Sequence, residues 1–276
     1  MARRQRKLKK YLILIALAVI VAFIFWPDQG SKNSTESADQ SSAEPNSKYP
    51  VIDLQPEVDA WAAKQNGTAS VAIIDLNNKK TVASLNADKP YFAASLYKLY
   101  VAYLGYQKVA ADGTYQMDDA YLTGYSRGKC LDEMIRNSYS PCGEKMWAEL
   151  GKEASTAKLK TYGLTNTSMT GLETSAADSS KILQRLFERR DLTKAHTEAF
   201  LDSLKDQPAI YRRGLPSGIS QAIVHNKVGW NELLEWHDVA IISYSNGRSY
   251  AVSVLTRSVG SSNVADLGRS LSERVR

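Results

Sequence analysis

Tyr91-Phe-Ala-Ala-Ser-Leu-Tyr-Lys-Leu-Tyr-Val-Ala-Tyr-Leu-Gly-Tyr106 reads as a helix entered near Ser95. From there Leu96, Leu99, Tyr100, Ala102, Tyr103 and Tyr106 fall three or four apart, the spacing of an apolar helical stripe. Ser95 and Lys98 are three apart, so their side chains can meet on one face. A serine hydroxyl is a poor nucleophile until a neighbour takes its proton. A lysine does that when burial or nearby cations lower its pKa. Amide N–H groups at a helix start can also hold an oxyanion beside the serine. Spacing alone does not single out this pair. Ser155 and Lys158 repeat it within Gly151-Lys-Glu-Ala-Ser-Thr-Ala-Lys-Leu-Lys160, a polar run that reads as a solvated helix face.

Outward from this helix the patterns alternate. Val51–Gln65 has helical spacing; Ser70–Asp75 and Thr81–Ser84 read as strands around a turn at Asn77–Lys80. From Met117 to Leu204 helices dominate, predicted over Cys130–Asn137, Pro141–Leu150, Ser155–Tyr162, Ser175–Arg189 and Thr193–Ser203. Strands return over Ala222–Val228, Trp236–Tyr244 and Ser249–Thr256, the last two joined through Asn246-Gly247, a hairpin signal. A helix over Ser262–Val275 follows. Strands early, helices in the middle and strands late predict an α/β (α+β) fold. An antiparallel sheet built from the N- and C-terminal segments is flanked by helices, with an all-helical lobe inserted. A site is expected in the cleft between the lobes.

The chain has 276 residues, 43% hydrophobic and 23% charged, the balance of an ordinary globular protein. Its formal charge of +6 is local: setting aside Arg3, Arg4, Arg6, Lys7, Lys9 and Lys10 leaves 29 basic against 29 acidic residues. Nothing in that balance points to nucleic acid. The uncharged run Tyr11–Trp26 behind these cations would make a helix roughly 24 Å long, at the short end for a bilayer. Positive-inside logic puts the N-terminus in the cytoplasm and the bulk of the chain outside. An uncleaved, single-pass signal anchor is expected; a cleaved signal peptide is the rival, with no small-x-small site following promptly. Residues 27–48 read as a polar tether, and the folded domain as residues 49–276. Cys130 and Cys142, the only cysteines, are expected to form a disulfide in an exported domain, two free thiols being the other reading. No metal or organic cofactor is implied, and the domain is expected to be monomeric.

Three pieces align in chain order: Ser95-Leu-Tyr-Lys98, Ser138-Tyr-Ser140 and Lys227-Val-Gly229. Together with Phe92-Ala-Ala-Ser-Leu-Tyr-Lys-Leu-Tyr-Val101, Gly163-Leu-Thr165 and Thr174-Ser-Ala-Ala-Asp178, they resemble the penicillin-recognising serine hydrolases. The resemblance is to the class A β-lactamase group, whose signature is Ser-x-x-Lys, Ser-Asp-Asn and Lys-Thr-Gly. The resemblance implies that Ser95 attacks a β-lactam or D-alanyl amide carbonyl and that Lys98 takes its proton. Ser138 would protonate the departing nitrogen, Ser140 would contact substrate, and Lys227 would hold its carboxylate. The N–H groups of Ser95 and of Trp230, after Gly229, would form the oxyanion hole. Three departures stand out. Tyr139 and Ser140 replace Asp and Asn, Val228 replaces a hydroxyl residue, and the family's deacylating glutamate has no clear match. Glu173 is near but in the wrong context; Glu149 and Glu153 fit worse. A chain lacking that base would acylate and then turn over slowly. A D-alanyl-D-alanine carboxypeptidase acting on peptidoglycan-derived peptides, or a non-hydrolytic cell-wall or β-lactam sensor, is the alternative.

One rival motif belongs to other chemistry. Gly124-Tyr-Ser-Arg-Gly128 matches the Gly-x-Ser-x-Gly nucleophile elbow, with His196, His225 and His237 as available bases.

Overall fold

The computed structural model describes residues 48–231 and 234–276. The apolar run at 11–26 and most of the polar tether lie outside the described residues. Among the described residues no helix is long and apolar enough to cross a membrane.

Helix α1 (Gln55–Ala62) leads into strands β1 (Thr68–Asp75) and β2 (Lys80–Leu85), then β3 (Tyr91–Phe92). The decisive stretch becomes a 3-10 turn (Ala94–Leu96) running into α2 (Tyr97–Ala111). A small hairpin, β4 (Ala120–Leu122) and β5 (Tyr125–Ser126), precedes α3 (Arg127–Arg136), α4 (Ser140–Leu150) and α5 (Lys152–Thr161). Then come β6 (Glu173–Thr174), α6 (Ala176–Phe187), α7 (Lys194–Lys205) and α8 (Leu215–Gly218). Strands β7 (Ala222–Trp230), β8 (Trp236–Tyr244) and β9 (Ser249–Arg257) and helix α9 (Ser261–Val275) close the fold. The inserted lobe is therefore helical apart from short two-stranded ladders. The described residues from 48 to 276 form one compact unit.

The five-stranded sheet runs β2-β1-β9-β8-β7, antiparallel throughout. Its central strands are buried on both faces, so they read as near-continuous apolar runs. Val71 and Ile73 of β1 join the core under α1 and α9, whereas Ala72 and Ile74 join the core of the helical lobe. Helix α6 crosses that second face and ties to it through Ser180 Oγ, which donates to Ala72 O at 2.9 Å. Ser175 caps α6 by accepting from Asp178 N at 3.2 Å, as its Thr-Ser start predicts.

The stripe expected on α2 is instead a fully buried cylinder: every residue from Tyr97 to Tyr106 is buried. A helix enclosed on all sides is the axis of its lobe rather than its flank. The tyrosines make this possible because their hydroxyls find partners; Tyr100 meets Ser179 Oγ at 3.0 Å and Tyr103 donates to Arg190 O at 2.6 Å. The run Gly151–Lys160 does present a solvated helix face, through Lys152, Glu153, Lys158 and Lys160, but not on every side. Ser155 is 3% exposed and Leu159 is fully buried, because α5 packs this edge on the lobe.

Cys130 of α3 and Cys142 of α4 are disulfide-bonded, with Cα atoms 5.1 Å apart. The closed loop contains Ser138. A loop of this length is worth about 3 kcal/mol in the chain-entropy account. Replacing both cysteines by Ala is therefore expected to lower Tm by roughly 5–10 °C. It should also slow the reaction at Ser95, since the turn bearing Ser138 loses its staple. Thermal unfolding and acylation rates of the double variant check this; unchanged rates would show that helix packing alone holds the turn.

Candidate active site

Ser95 sits in the 3-10 turn, half-buried, between Ala94 and a helix whose first carbon stems are enclosed. Ala94 has φ +44°, a left-handed conformation that costs a non-glycine residue energy and turns the chain sharply into the nucleophile. Gly229 explains the turn's other side. A Cβ there would lie 2.6 Å from Ala93 O and 3.0 Å from Leu96 N, so β7 can touch this turn only as glycine. The backbone at 229–230 is thereby brought against the residues flanking Ser95.

Lys98, one turn into the helix, is 1% exposed. Its Nζ lies 3.0 Å from Ser95 Oγ, 2.8 Å from Ser138 O, 3.3 Å from Ser138 Oγ and 3.1 Å from Ser140 Oγ. Burial pulls its pKa down to about 8, against the opposing charge of Glu144. Ser138 stands between α3 and α4 at φ +52°, a second left-handed non-glycine. Lys227 approaches from β7: its Nζ donates to Ser138 Oγ at 3.1 Å and to Val228 O at 2.8 Å. It is fully buried, and burial together with the Lys98 charge holds its pKa well below the lysine range. Ser138 Oγ thus bridges two amines from opposite lobes, a geometry suited to passing a proton.

The structure brings Ser95, Lys98, Ser138, Ser140 and Lys227 into one hydrogen-bonded group. Gly229 adjoins it; the Trp230 side chain is 37% exposed and lies near Trp236, ring centres 6.1 Å apart. Tyr139 stacks on Tyr125 at 5.6 Å. The glutamates considered from the sequence lie elsewhere. Glu149 pairs with Arg127 at 3.1 Å, Glu153 is exposed on α5, and Glu173 is exposed on β6, paired with Phe92.

The rival motif dissolves. Ser126 caps α3, accepting from Lys129 N at 3.2 Å. His237 is fully buried: Thr256 N donates to its Nδ1 at 3.0 Å, which leaves Nε2 to donate to Phe92 O at 2.8 Å. Burial lowers its pKa to about 4, so this ring is a neutral tie between β8 and β3. His196 packs beside Tyr106. Ser155 Oγ has no hydrogen-bond partner among the described residues, and Lys158 lies over the Tyr162 ring. Among the described residues no group of three His, Cys, Asp or Glu could hold a metal.

Sequence reasoning missed the buttress under Lys227. Asn226 Nδ2 donates to buried Asp238 Oδ1 at 2.9 Å, and Leu215 N donates to Oδ2 at 2.8 Å. Burial raises the Asp238 pKa to about 7. It missed Glu144 as well, although a residue four after Ser140 on a helix must share its face.

A model of the β-lactamase enzyme family matches residues 53–275. No curated protein sequence matches the chain. Among solved structures, PBP-A superposes with a TM-score of 0.72 at 18% identity, covering 82% of this chain and 97% of that one. A PBP-A mutant is described as an acyl-enzyme complex with penicillin G. The TLA-1 extended-spectrum β-lactamase gives 0.73 at 13%, covering 80% and 98%. A β-lactamase from Chitinophaga pinensis gives 0.70 at 16%, with the same coverage. At these identities the likeness is one of fold. The sequence match runs through nearly all of the folded domain, and by it the chain belongs to the β-lactamase enzyme family, as a β-lactamase-like serine hydrolase.

Proposed function

We propose that the chain is a membrane-anchored, extracytoplasmic hydrolase of the class A type that opens a β-lactam amide through an ester on Ser95. The observation that carries this reading is the contact of Lys98 Nζ with both Ser95 Oγ and Ser138 Oγ. Neutral Lys98 takes the Ser95 proton as Oγ bonds to the carbonyl carbon. The N–H groups of Ser95 and Trp230 receive the oxyanion. Ser138 Oγ gives its proton to the departing nitrogen and is recharged from Lys98, so the C–N bond breaks with protons in balance. Lys227 faces the substrate carboxylate, with Ser140 beside it. Water then cleaves the ester.

A second reading is a D-alanyl-D-alanine carboxypeptidase or penicillin-binding protein acting on peptidoglycan-derived peptides. Two observations favour it: Val228 supplies no hydroxyl beside Lys227, and Glu173 in the loop before α6 is exposed at a strand pair rather than in the hydrogen-bonded group. Intact-mass measurement after mixing with benzylpenicillin separates the readings. A Ser95 adduct that forms and decays supports the lactamase. An adduct that persists supports the second reading or a sensor. No adduct at all overturns both enzyme readings. The anchor rests on residues 11–26 with the six cations before them. Recovery of the full chain in the soluble fraction at its unprocessed mass would overturn the anchor.

A further inference from the structure

Hydrolysis of a Ser95 ester needs a group that takes a proton from water, and Lys98 is mostly protonated below its pKa of about 8. A carboxylate is free to do this at neutral pH. Of the acidic groups already described, Glu149 is occupied by Arg127, Asp238 is buried on β8, and Glu153 and Glu173 lie outside the hydrogen-bonded group. Glu144 is different. It is exposed, with no hydrogen bond or ion pair among the described residues, on the face of α4 that runs along the start of α2. That face is fixed by three contacts. Ser140, one turn earlier, meets Lys98 Nζ at 3.1 Å. A Cβ on adjacent Gly143 would lie 3.1 Å from Lys98 Cε and 2.9 Å from Tyr97 Oη. Trp147, on the next turn, packs its ring 5.0 Å from that of Tyr97. Tyr97 Oη is buried without a hydrogen-bond partner among the described residues, a donor left over on this face. The charge of Glu144 acts on both neighbours, opposing the fall of the Lys98 pKa and adding to the rise at Tyr97.

Resting on the acyl-enzyme reading above, we propose that Glu144 is the base of deacylation, supplied from α4. Its carboxylate takes one proton from water while the water oxygen bonds to the acyl carbon. The bond from that carbon to Ser95 Oγ then breaks. Glu144 passes its proton through water to the neutral amine of Lys98, which gives one to Oγ, 3.0 Å away, restoring both carboxylate and amine. The product is the free acid and the resting hydroxyl.

The test is single-turnover intact-mass kinetics with benzylpenicillin on the wild type, Glu144→Gln and, as a control, Glu153→Gln. Expected for Glu144→Gln is acylation within about threefold of wild type and release slowed about 10²- to 10⁴-fold, so that the Ser95 adduct accumulates. Glu153→Gln should release normally. Glu144 makes no contact that the fold depends on, so the variant should keep the wild-type circular dichroism. Release from Glu144→Gln at the wild-type rate overturns the proposal, as does loss of acylation itself. A wild-type adduct that never decays overturns it too, while leaving the acyl-enzyme standing. A wild type that takes no label removes the acyl-enzyme and this base together.

Discussion

Lys98→Met is expected to acylate about 10³-fold more slowly than the wild type while remaining folded. Methionine keeps most of the unbranched stem that threads past Gly143, so the packing of α2 on α4 survives. What disappears is the amine that reaches Ser95 Oγ, Ser138 Oγ and Ser140 Oγ together. Ser138 O loses its donor, at a cost of about 1–3 kcal/mol, partly offset because a buried cation no longer needs solvating. The pH profile identifies the role. A base must be neutral to accept a proton, so wild-type acylation should rise with pH and level off above about 8. With that pKa about a tenth of Lys98 is neutral at pH 7, against well under a thousandth for a free lysine. Burial therefore accounts for a factor of several hundred in available base. In Lys98→Met this rising limb should vanish along with the rate. A variant that kept the limb would assign the proton to another group, with Lys227 the first to suspect.

Much of this site is legible in the chain because its chemistry is local. Ser95 and Lys98 are joined by one helical turn, and Ser138 and Ser140 by the start of another, so spacing alone sets their side chains in reach. The strands follow from apolar runs bounded by turn signals, and Asn246-Gly247 marks the last hairpin, where Gly247 has φ +90°. What the sequence hides is set by contacts between distant segments. The pairing of Tyr91 with Thr174 and of Phe92 with Glu173 is two residues long, too short to show any period. His237 reads as a free base until its two nitrogens are seen tied to Thr256 N and Phe92 O. The burial of α2 on every side is masked because Tyr97 and Lys98 fall outside the apolar stripe that the spacing marks. The tips of Lys98, Tyr100 and Tyr103 are instead carried inward to partners.

The second large effect concerns a residue with no side chain. Gly229→Ala is expected to slow acylation at least about 100-fold and to lower Tm by several degrees. The added methyl would sit 2.6 Å from Ala93 O, 2.9 Å from Leu96 Cγ and 3.0 Å from Leu96 N. Two of these are backbone atoms, and they belong to one hydrogen bond of the nucleophile turn, Leu96 N to Ala93 O at 2.9 Å. The turn cannot yield without displacing Ser95. Nor is β7 free to retreat: Gly229 pairs with His237, whose ring is bonded to Phe92 O just before that turn. Lys227 is two residues back on the same strand, holding Ser138 Oγ at 3.1 Å. Any relief of the clash therefore separates the two lobes' contributions, moving the 229–230 backbone away from Ser95 and Lys227 away from Ser138. A shift of about 1 Å is enough to cost 10²-fold in a reaction that depends on aligned groups. Because Lys98 and Ser95 stay on their own helix, the acylation pH profile should keep its shape while its height falls. Measuring both separates this variant from Lys98→Met. Acylation at the wild-type rate would mean that the strand edge takes no part in holding the oxyanion.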